Sequence, residues 1–579
     1  GRGTKVLTIS RSTWVLVVFA SLVTGAASGS PTRDPMGSVA ETTRSQIATT
    51  LLASEPTHQP RPNVASACGV GHGGGYGTLS ELMSLRERVR EQNACALPGC
   101  TIKYDSFLSC MWRAVSRGYV LRAHAEFVAD GLRNGFSLGL GGDTFAGFGR
   151  RVFANYPSAE AGRDSVTDAI QARVGKGKTL ELGPWEQVRE DLARVTTDYF
   201  LFPMGAVSKP HQPWILRPTS DHTRTGFNAA KLIDLLRHSL DAYPQVAWLL
   251  KQGYFMYVSD VADAFLLIPL APWLWFFFLF RAYRKRGDTS MSTFVHLFGD
   301  FGTKFLPGTF YVFFVKVVIQ MARSELVVTI PLVIYVDDVA GIDRDRLECN
   351  RQMKAMQAFT ADTCGVEWKE LKDRTADQCQ HYIGFWWTSR TLTRSLDETK
   401  LLQYLDVILV AAQSRCLTLR MRKSLAGKLE RAVMTMPPGA KCLIVNCYAL
   451  MHGLTMPWHA RRTSRGERQD YLILHELLQL NMGAGYYSYD LFERIGPSAS
   501  DASKSRHLSA GGWHTFDGRA DWFRFGSRMA RSPIDELEGY AMLDCVRSSA
   551  PIWCKCMVPF GLDNKSMQGS QAKGRSRAP

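Results

Sequence analysis

The sequence predicts an α+β protein, because helical and β-like patterns occupy successive stretches of the chain. Helical periodicity dominates residues 79–200, short β-like runs alternate with helical ones over 201–395, and helical periodicity returns over 396–490. A last mixed segment occupies 491–579. With 579 residues the chain is too long for one ordinary domain. We therefore expect these four stretches to form separate parts of the fold.

The composition excludes disorder through most of the chain. Apolar residues make up 45%, aromatic residues 11% and charged residues 21%, as in folded globular proteins. The 69 Lys and Arg outnumber the 53 Asp and Glu, and the resulting net charge of +16 favours an anionic partner such as nucleic acid. The 13 cysteines lack the dense spacing of a disulfide-stapled secreted domain. We therefore expect an intracellular protein of the cytoplasm or nucleus.

Residues 1–78 predict a flexible N-terminal tail that contains an apolar run. Basic residues precede this run and small residues follow it over positions 11–30, as in a secretory signal. Residue 1 is glycine rather than methionine, so we expect the run not to act as a signal. A second apolar run, Pro269–Phe280, is too short to span a bilayer and predicts a buried strand. We expect no stable membrane association.

The clearest chemical pattern is a pair of adjacent acids, Asp337 and Asp338, which follow Tyr335 and Val336. Apolar, β-forming residues precede and follow the pair, so the pattern predicts a strand, a tight turn and a second strand. Two adjacent acids at the end of a buried strand repel each other, and desolvation raises the cost further. A divalent metal ion would neutralise them, whereas a solvated turn is the alternative for an isolated motif of this kind.

A third acid, Asp260, lies in an earlier β-like run and would complete a two-metal site with Asp337 and Asp338. In such a site one metal ion activates an attacking hydroxyl while the other stabilises the leaving group. We therefore expect two Mg²⁺ ions, with Mn²⁺ as an alternative, and nucleotidyl transfer as the reaction.

The stretch Asp260–Leu270 resembles the first palm motif of reverse transcriptases, and residues 335–338 resemble their catalytic turn. Between these motifs, residues 301–310 have the family's FG-x4-P-x2-F layout. The resemblance implies a right-hand polymerase, with fingers and palm over 201–395 and a helical thumb and connection over 396–490. The segment before the fingers is similar to that of retrotransposons that integrate with a tyrosine recombinase.

The same resemblance implies which residues bind the nucleotide. Lys209 and Arg217 match cations that grip the triphosphate, and Lys372 matches a lysine near the leaving pyrophosphate. Gly302 belongs to the motif that supports template and nucleotide. Phe265 matches the aromatic ring beneath the deoxyribose, where it would clash with a 2′-hydroxyl; its alternative is an ordinary core residue.

Two further patterns belong to the wider resemblance. Asp221 and Asn228 continue the fingers pattern that begins at Lys209. Residues 382–385, Tyr-Ile-Gly-Phe, resemble the hairpin that grips the primer. These two stretches extend the resemblance on both sides of the palm motifs.

The last segment is similar to the start of an RNase H domain. The resemblance implies that Asp501, Glu538 and Asp563 bind two metal ions and hydrolyse the RNA strand of a hybrid, with Glu536 as the alternative ligand on the helix. The family's fourth ligand does not occur before residue 579, so we interpret the domain as truncated. We expect its nuclease activity to be weak or absent.

Together these motifs predict the RNA-directed DNA polymerase of a retroelement, with an RNA template, a DNA/RNA primer-template hybrid and dNTPs as partners. The first alternative is an inactive or domesticated remnant that binds nucleic acid without catalysis. The second is an RNA-directed RNA polymerase, against which Phe265 and the RNase H motifs argue.

Overall fold

The computed structural model describes residues 14–18, 78–209, 212–238, 242–436, 438–481, 483–485, 493–494, 496–505, 508–527, 529–549, 553 and 556–561. The chain divides into two compact units, one formed by 1–19 and 76–579 and the other by 20–75. The second unit lies outside the described residues. The first unit mixes helices and strands, and no described helix combines the length and apolar character needed to cross a bilayer.

The strands of the first unit form several separate sheets. They are β1 (Trp14–Val18), β2 (Arg150–Val152), β3 (Thr179–Pro184), β4 (Tyr199–Leu201), β5 (Met204–Lys209), β6 (Gln212–Ser220), β7 (Phe255–Asp260), β8 (Leu279–Tyr283), β9 (Met291–His296), β10 (Leu332–Tyr335), β11 (Asp338–Asp343), β12 (Arg374–Asp377), β13 (Cys379–Tyr382), β14 (Phe385–Thr388), β15 (Thr393–Leu396), β16 (Cys416–Thr418), β17 (Ala460–Arg462), β18 (Ala484–Gly485), β19 (Glu493–Arg494), β20 (Ser498–Lys504), β21 (Ser509–His514), β22 (Ala520–Arg524) and β23 (Cys556–Gly561).

The α-helices lie before, between and after these strands. They are α1 (Leu79–Glu91), α2 (Tyr104–Ser116), α3 (Arg122–Asn134), α4 (Pro157–Ala161), α5 (Arg163–Gly175), α6 (Trp185–Val195), α7 (Ala242–Leu249), α8 (Leu306–Phe310), α9 (Ile319–Ser324), α10 (Arg346–Cys364), α11 (Glu398–Gln413), α12 (Leu419–Ala432), α13 (Val445–Ala449), α14 (Arg465–Leu480) and α15 (Ile534–Ser549). A π-helical stretch, Tyr311–Val318, joins α8 to α9.

The sheet that carries the candidate site has the strand order β10-β11-β7-β12. Its two faces are buried in different cores, because successive side chains of a strand point to opposite faces. On one face Tyr257 and Val339 pack with the N-terminal helices and α10. On the other face Val258 and Ala340 pack with the β13–β14 hairpin and with helices α11, α12 and α14. We call this sheet the central sheet.

A second sheet has the strand order β2-β4-β8-β9-β3, and β5 and β6 form a separate two-stranded sheet. Aromatic side chains fill its surroundings, for example Phe202 against Phe280 with ring centroids 5.5 Å apart. The apolar run Pro269–Phe280 lies here, but its interpretation as one strand is wrong. Residues 274–277 form a 3₁₀ turn, and β8 begins only at Leu279.

The last sheet contains β1-β23-β20-β21-β22, with β19 paired to β23. Strand β1 comes from the signal-like apolar run and pairs antiparallel with β23. Helix α15 packs against β20 and β21, where Ala541 of the helix approaches the backbone of Gly511. The sequence-predicted segment 491–579 is thus a mixed helix-and-sheet region in its described part.

Candidate active site

Three acids meet on two neighbouring strands of the central sheet. Strand β7 ends at Asp260, and strand β11 begins at Asp338, which is the direct antiparallel partner of Asp260. Directly opposed residues of such strands point to the same face, with Cα atoms about 4.5–5.5 Å apart. Asp337 lies in the turn before β11, where its carbonyl oxygen accepts a hydrogen bond from the Val261 N–H at 2.9 Å. The predicted strand, turn and strand are present.

The turn that carries the acids has a constrained backbone. Val336 has φ 57°, in the left-handed region that β-branched residues seldom adopt. Tyr335 and Asp338 close the hairpin as partners, so only Val336 and Asp337 lie between the strands. A two-residue hairpin turn requires positive φ at one or both of its central positions. This strain is stored directly beside the acids, as is common at functional sites.

The electrostatics of the site reflect three negative charges in a small volume. Asp260 is 4% exposed, whereas Asp337 and Asp338 are partly buried. Burial, followed by repulsion from Asp337 and Asp260, raises the pKa of Asp338 to about 7. Burial and Asp260 also raise the pKa of Asp337. The fold therefore holds these carboxylates together at an electrostatic cost.

Two lysines offset part of this cost at Asp260. The Lys369 ammonium lies 2.5 Å from one carboxylate oxygen of Asp260, and the Lys372 ammonium lies 2.5 Å from the other. The Lys369 backbone N–H also donates to the Asp260 carbonyl oxygen at 2.9 Å. The sequence indicated Lys372 through the family resemblance but gave no signal for Lys369. Only the fold brings Lys369 to a strand end more than a hundred residues earlier.

The donor set fits a hard divalent cation such as Mg²⁺, which prefers carboxylate oxygens. Burial and mutual repulsion at Asp337 and Asp338 are what a bound cation would relieve. In the described part of the chain, however, no three His, Cys, Asp or Glu side chains are positioned to hold a metal ion together. At Asp260 the lysine ammonium groups occupy both carboxylate oxygens. A cation there requires these two lysines to release the carboxylate.

The residues expected to bind the triphosphate lie on the β5–β6 hairpin. Lys209 ends β5 and pairs with Gln212, the first residue of β6. Arg217 lies on β6 opposite Val207 and is exposed. Among the described residues, Arg217 has no ion pair with the three acids. The structure therefore places both residues on one hairpin without bringing Arg217 into contact with the carboxylates.

Phe265 lies in a 3₁₀ turn shortly after the end of β7, and Phe301, the neighbour of Gly302 in the chain, packs against it. The ring of Phe265 is 7% exposed and lies 4.8 Å, centroid to centroid, from the ring of Phe301, which is 54% exposed. The ring of Phe310 lies 6.1 Å from that of Phe265, centroid to centroid. Phe265 thus contributes to the core and also lies next to an exposed aromatic ring.

Asn228 and Gly302 join the hairpin region to the 301–310 segment. The Asn228 amide donates to the Gly302 carbonyl oxygen at 2.9 Å and accepts from the Lys304 N–H at 3.0 Å. Gly302 has φ 111°, and a Cβ there would overlap the carbonyl oxygen of Ser220. The Asp221 carboxylate accepts from the Tyr156 hydroxyl at 2.6 Å. Asp221 and Asn228 therefore have structural contacts that position the loop.

A buried charge cluster next to this loop was missed by the sequence analysis. Asp300 is 2% exposed and binds Arg173 at 2.9 Å and His296 at 3.3 Å. The Ser220 hydroxyl donates to the same carboxylate, and His222 lies nearby with no exposed surface. These residues come from three separate segments, and no single segment carries a signal for the cluster.

The 382–385 hairpin packs directly against the acidic turn. The Tyr382 hydroxyl donates to the carbonyl oxygens of Val333 at 2.9 Å and of Asp338 at 3.1 Å. Ile383 and Gly384 form its turn, with φ values of 43° and 79°. Burial raises the pKa of Tyr382 well above its ordinary value, so its hydroxyl stays protonated and can donate. This hairpin is therefore fixed relative to the carboxylates.

The acids of the last sheet do not form one site in the structure. Ala502 packs against Leu537 of α15, so Asp501, its neighbour on β20, points to the opposite face of the sheet and is exposed. Glu538 is 6% exposed and lies one helical turn before Ala541, on the side of α15 that faces the sheet. Glu536, the alternative, is partly exposed in the first turn of α15. Asp563 lies outside the described residues.

The chain has a distant likeness to solved structures of a foamy viral protease-reverse transcriptase. It is similar to that protein in complex with RNA/DNA hybrid, at 14% identity and a TM-score of 0.45, covering 70% of this chain and 48% of the other. The form designated dRH, in complex with ds DNA, gives 13% identity, a TM-score of 0.45, and coverage of 69% and 62%. The complex with dsDNA is 14% identical, with a TM-score of 0.43, and the match covers 70% of this chain and 74% of the other.

This chain therefore spans about half the length of the first of these structures. At TM-scores below 0.5 the likeness is too distant to assign an activity. No protein-family model matches the chain, and no curated protein matches it.

Proposed function

We propose that the protein is an RNA-directed DNA polymerase of a retroelement, with Asp260, Asp337 and Asp338 as its catalytic carboxylates. The observation that carries the proposal is the direct pairing of Asp260 with Asp338 across β7 and β11, with Asp337 in the intervening turn. Three acids brought together in this way destabilise the fold, and a bound cation would offset their mutual repulsion. In this proposal the central sheet is the palm, β5–β6 belongs to the fingers, and helices α11–α14 form the thumb.

The three carboxylates would hold two Mg²⁺ ions, which activate the primer hydroxyl and stabilise charge on the leaving pyrophosphate. The residues of the chain have their own tasks. Asp260 is fixed by the end of β7, and Asp337 and Asp338 are fixed by the strained turn and by Tyr382 beneath it. Lys369 and Lys372 each bind one carboxylate oxygen of Asp260, and Lys372, which is half-exposed, can turn toward a phosphate.

The proposed substrate is a dNTP rather than an rNTP. Phe265 lies five residues after Asp260, and its ring contacts the rings of Phe301 and Phe310, which hold it in position against a 2′-hydroxyl. The proposed template is RNA, held largely through its phosphates. The net charge of +16 supplies many Lys and Arg contacts, and binding of this kind weakens strongly as salt rises.

A primer-extension assay tests the proposal. The full chain is incubated with a DNA primer on an RNA template, Mg²⁺ and either dNTPs or rNTPs. We expect extension with dNTPs, and a loss of at least about a thousandfold in the Asp337→Asn/Asp338→Asn double variant, since metal-assisted stabilisation supplies several kcal/mol. The matched control is Asp362→Asn, an exposed acid on α10, which should retain the activity.

The outcomes separate the proposal from its alternatives. Extension that is unchanged in the double variant would show that the acidic turn is not the catalytic centre. Binding of hybrid without any extension would favour a domesticated remnant, for which the lysines on Asp260 already provide charge balance without a metal ion. Efficient use of rNTPs would overturn the assignment of the substrate.

A further inference from the structure

Outside the candidate active site, four arginines converge on a cavity at the start of helix α14. The cavity has a volume of about 700 Å³. Its lining residues are Arg415, Arg462, Thr463, Arg465, Arg468, Gln469 and Leu472. They lie directly before β16, at and directly after the end of β17, and in the first turns of α14. We call this cavity the arginine pocket.

The positive charge of the arginine pocket is not balanced by the protein. None of its lining residues is acidic, and in the described part of the chain none of the four arginines forms an ion pair. The acid in the first turn of α14, Glu467, is completely buried with Arg422 and also accepts from the Tyr471 hydroxyl at 2.6 Å. The charge of Glu467 is therefore neutralised inside the core and does not reach the cavity. The four guanidinium groups repel one another across it.

A buried hydroxyl in the arginine pocket also lacks a partner. Thr463 is 7% exposed and lines the cavity, and its hydroxyl oxygen is buried without a hydrogen-bond partner. The buried Nε of Arg468 is likewise without one. A buried donor left unsatisfied costs free energy comparable to a lost hydrogen bond, and an anion in the cavity would supply the missing acceptor.

The N-terminus of α14 also attracts negative charge, in addition to the arginines and the Thr463 hydroxyl. Ser464 caps the helix by accepting from the Glu467 N–H at 3.0 Å, which leaves the earlier backbone N–H groups without intrahelical acceptors. The N-terminal end of a helix carries partial positive charge and normally attracts acidic side chains. Arg465 and Arg468 in the first turn reverse this preference. Both arginines therefore add to the positive potential at this end of the helix.

We propose that the arginine pocket is a phosphate-binding site separate from the polymerase centre. Guanidinium groups match the oxygens of a phosphate with paired hydrogen bonds, the Thr463 hydroxyl donates to a further oxygen, and the α14 N-terminus supplies backbone donors. The ligand is a tetrahedral phosphate group, from either of two sources: a free phosphoanion or the backbone of a nucleic-acid strand. The site does not depend on the proposed function, because it uses no residue of the acidic turn.

Two binding measurements on the full chain test the pocket, both without divalent metal ions and without dNTPs. Pyrophosphate is titrated by calorimetry, and a short single-stranded DNA labelled with a fluorophore is titrated by anisotropy. We expect the Arg465→Gln/Arg468→Gln variant to weaken binding by at least about tenfold, because each lost charged hydrogen bond is worth about a factor of ten. The matched control is Arg420→Gln, which removes an exposed arginine that lines a different cavity, between α11 and α12.

A second variant, Thr463→Val, separates a ligand-binding role from a structural one. It removes the hydroxyl but keeps the side-chain volume. If the hydroxyl has no partner within the protein and binds a ligand, the ligand-free Thr463→Val variant should melt at or above the temperature of the ligand-free parent. The variant should also bind the ligand about tenfold more weakly. A lower melting temperature with unchanged binding would show that the hydroxyl is satisfied within the protein and would overturn its assignment.

The two ligands distinguish the sources of phosphate. Weaker binding of pyrophosphate in the pocket variants identifies a free phosphoanion site, and weaker binding of the DNA alone identifies a backbone contact. If the Arg465→Gln/Arg468→Gln variant and the Arg420→Gln control bind both ligands equally well, the proposal is overturned. Because no extension reaction is measured, an inactive polymerase site would not affect this result.

Discussion

At the scale of single residues, Lys369 and Lys372 decide whether the site is stable without a metal ion. Asp260 is 5% exposed at its side chain and binds both ammonium groups, whose own side chains are 34% and 51% exposed. We expect the Lys369→Met/Lys372→Met variant to lose about 2 kcal/mol of unfolding free energy in metal-free buffer, because a buried carboxylate loses its partners and the half-exposed lysines are partly screened.

Thermal unfolding with and without Mg²⁺ measures this effect. Added Mg²⁺ should restore much of the lost stability in the double-lysine variant, since the freed carboxylate can then bind the ion. The control is Lys354→Met, which removes an exposed ammonium 3.4 Å from Asp373 and should show no such rescue. An equal loss in Mg²⁺-free and Mg²⁺-containing buffer would mean that the lysines do not compete with a cation.

Phe265 allows a second prediction at the residue scale. We expect Phe265→Val to raise the ratio of rNTP to dNTP incorporation, measured as kcat/KM, by at least about tenfold, because the ring that would meet a 2′-hydroxyl is shortened. The control Phe310→Val removes the same ring area beside Phe265, 6.1 Å away. If both variants lose stability equally and neither changes the ratio, Phe265 is a core residue and its alternative interpretation is correct.

At the scale of elements, Gly302 determines whether the 301–310 segment can dock. Its φ of 111° and the close carbonyl oxygen of Ser220 leave no room for a Cβ. We expect Gly302→Ala to destabilise the protein by about 3 kcal/mol or more, because both the backbone conformation and the contact must change. The control is Gly287→Ala, with φ 82° and no atom near its Cβ position, which should cost about 1 kcal/mol.

Denaturant unfolding of both alanine variants measures the difference. A larger loss at Gly302 than at Gly287 shows that the contact with Ser220, and not only the positive φ, requires glycine. Equal losses would mean that the loop moves freely away from Ser220 and that its docking against β6 is not needed for stability.

The buried cluster under the β5–β6 hairpin predicts sensitivity to acid. Burial lowers the pKa of His222 to about 4 and also lowers the pKa of His296. The folded pKa values lie below the unfolded value of about 6.5, so the unfolded state binds protons first. The stability that these neutral rings contribute is complete above about pH 6.5 and is lost as the pH falls toward 4. His222 alone would account for a loss on the order of 3 kcal/mol.

The variant His222→Phe tests this pH dependence through unfolding free energies between pH 7 and pH 4.5. Both ring nitrogens of His222 are buried without hydrogen-bond partners, and its ring lies 4.5 Å from Phe202 and 4.8 Å from Phe278. Phenylalanine should therefore fit at this position. It should reduce the decrease in unfolding free energy at low pH without removing it, because His296 remains. An unchanged pH profile would contradict the assignment.

Elements of the site differ in how far the sequence could predict them. The strand, turn and strand around Asp337 and Asp338 could be predicted because β-forming residues surround the adjacent acids. The sequence could not predict the contact of Lys369 with Asp260 or the cluster around Asp300. The partners lie far apart in the chain, and lysine and histidine occur commonly at surfaces. Pro269–Phe280 was interpreted wrongly because a short apolar run does not distinguish a strand from a buried turn.

At the scale of the whole molecule, the last sheet predicts that the protein lacks effective nuclease activity. Asp501 and Glu538 lie on opposite faces of the sheet, so they cannot share a metal ion in this arrangement. We expect the full chain not to degrade the RNA strand of an RNA/DNA hybrid in Mg²⁺, and Asp501→Asn to leave this result unchanged. Degradation that Asp501→Asn abolishes would show that the two acids meet in solution.

The central claim is that Asp260, Asp337 and Asp338 hold metal ions together. The most direct measurement replaces Mg²⁺ with Fe²⁺ and uses peroxide and ascorbate to cleave the backbone beside the bound metal ion. The account predicts fragments that end near residue 260 and near residues 337–338, suppressed by excess Mg²⁺ and absent in the Asp337→Asn/Asp338→Asn variant. Cleavage at neither position, or identical cleavage in that variant, would contradict it.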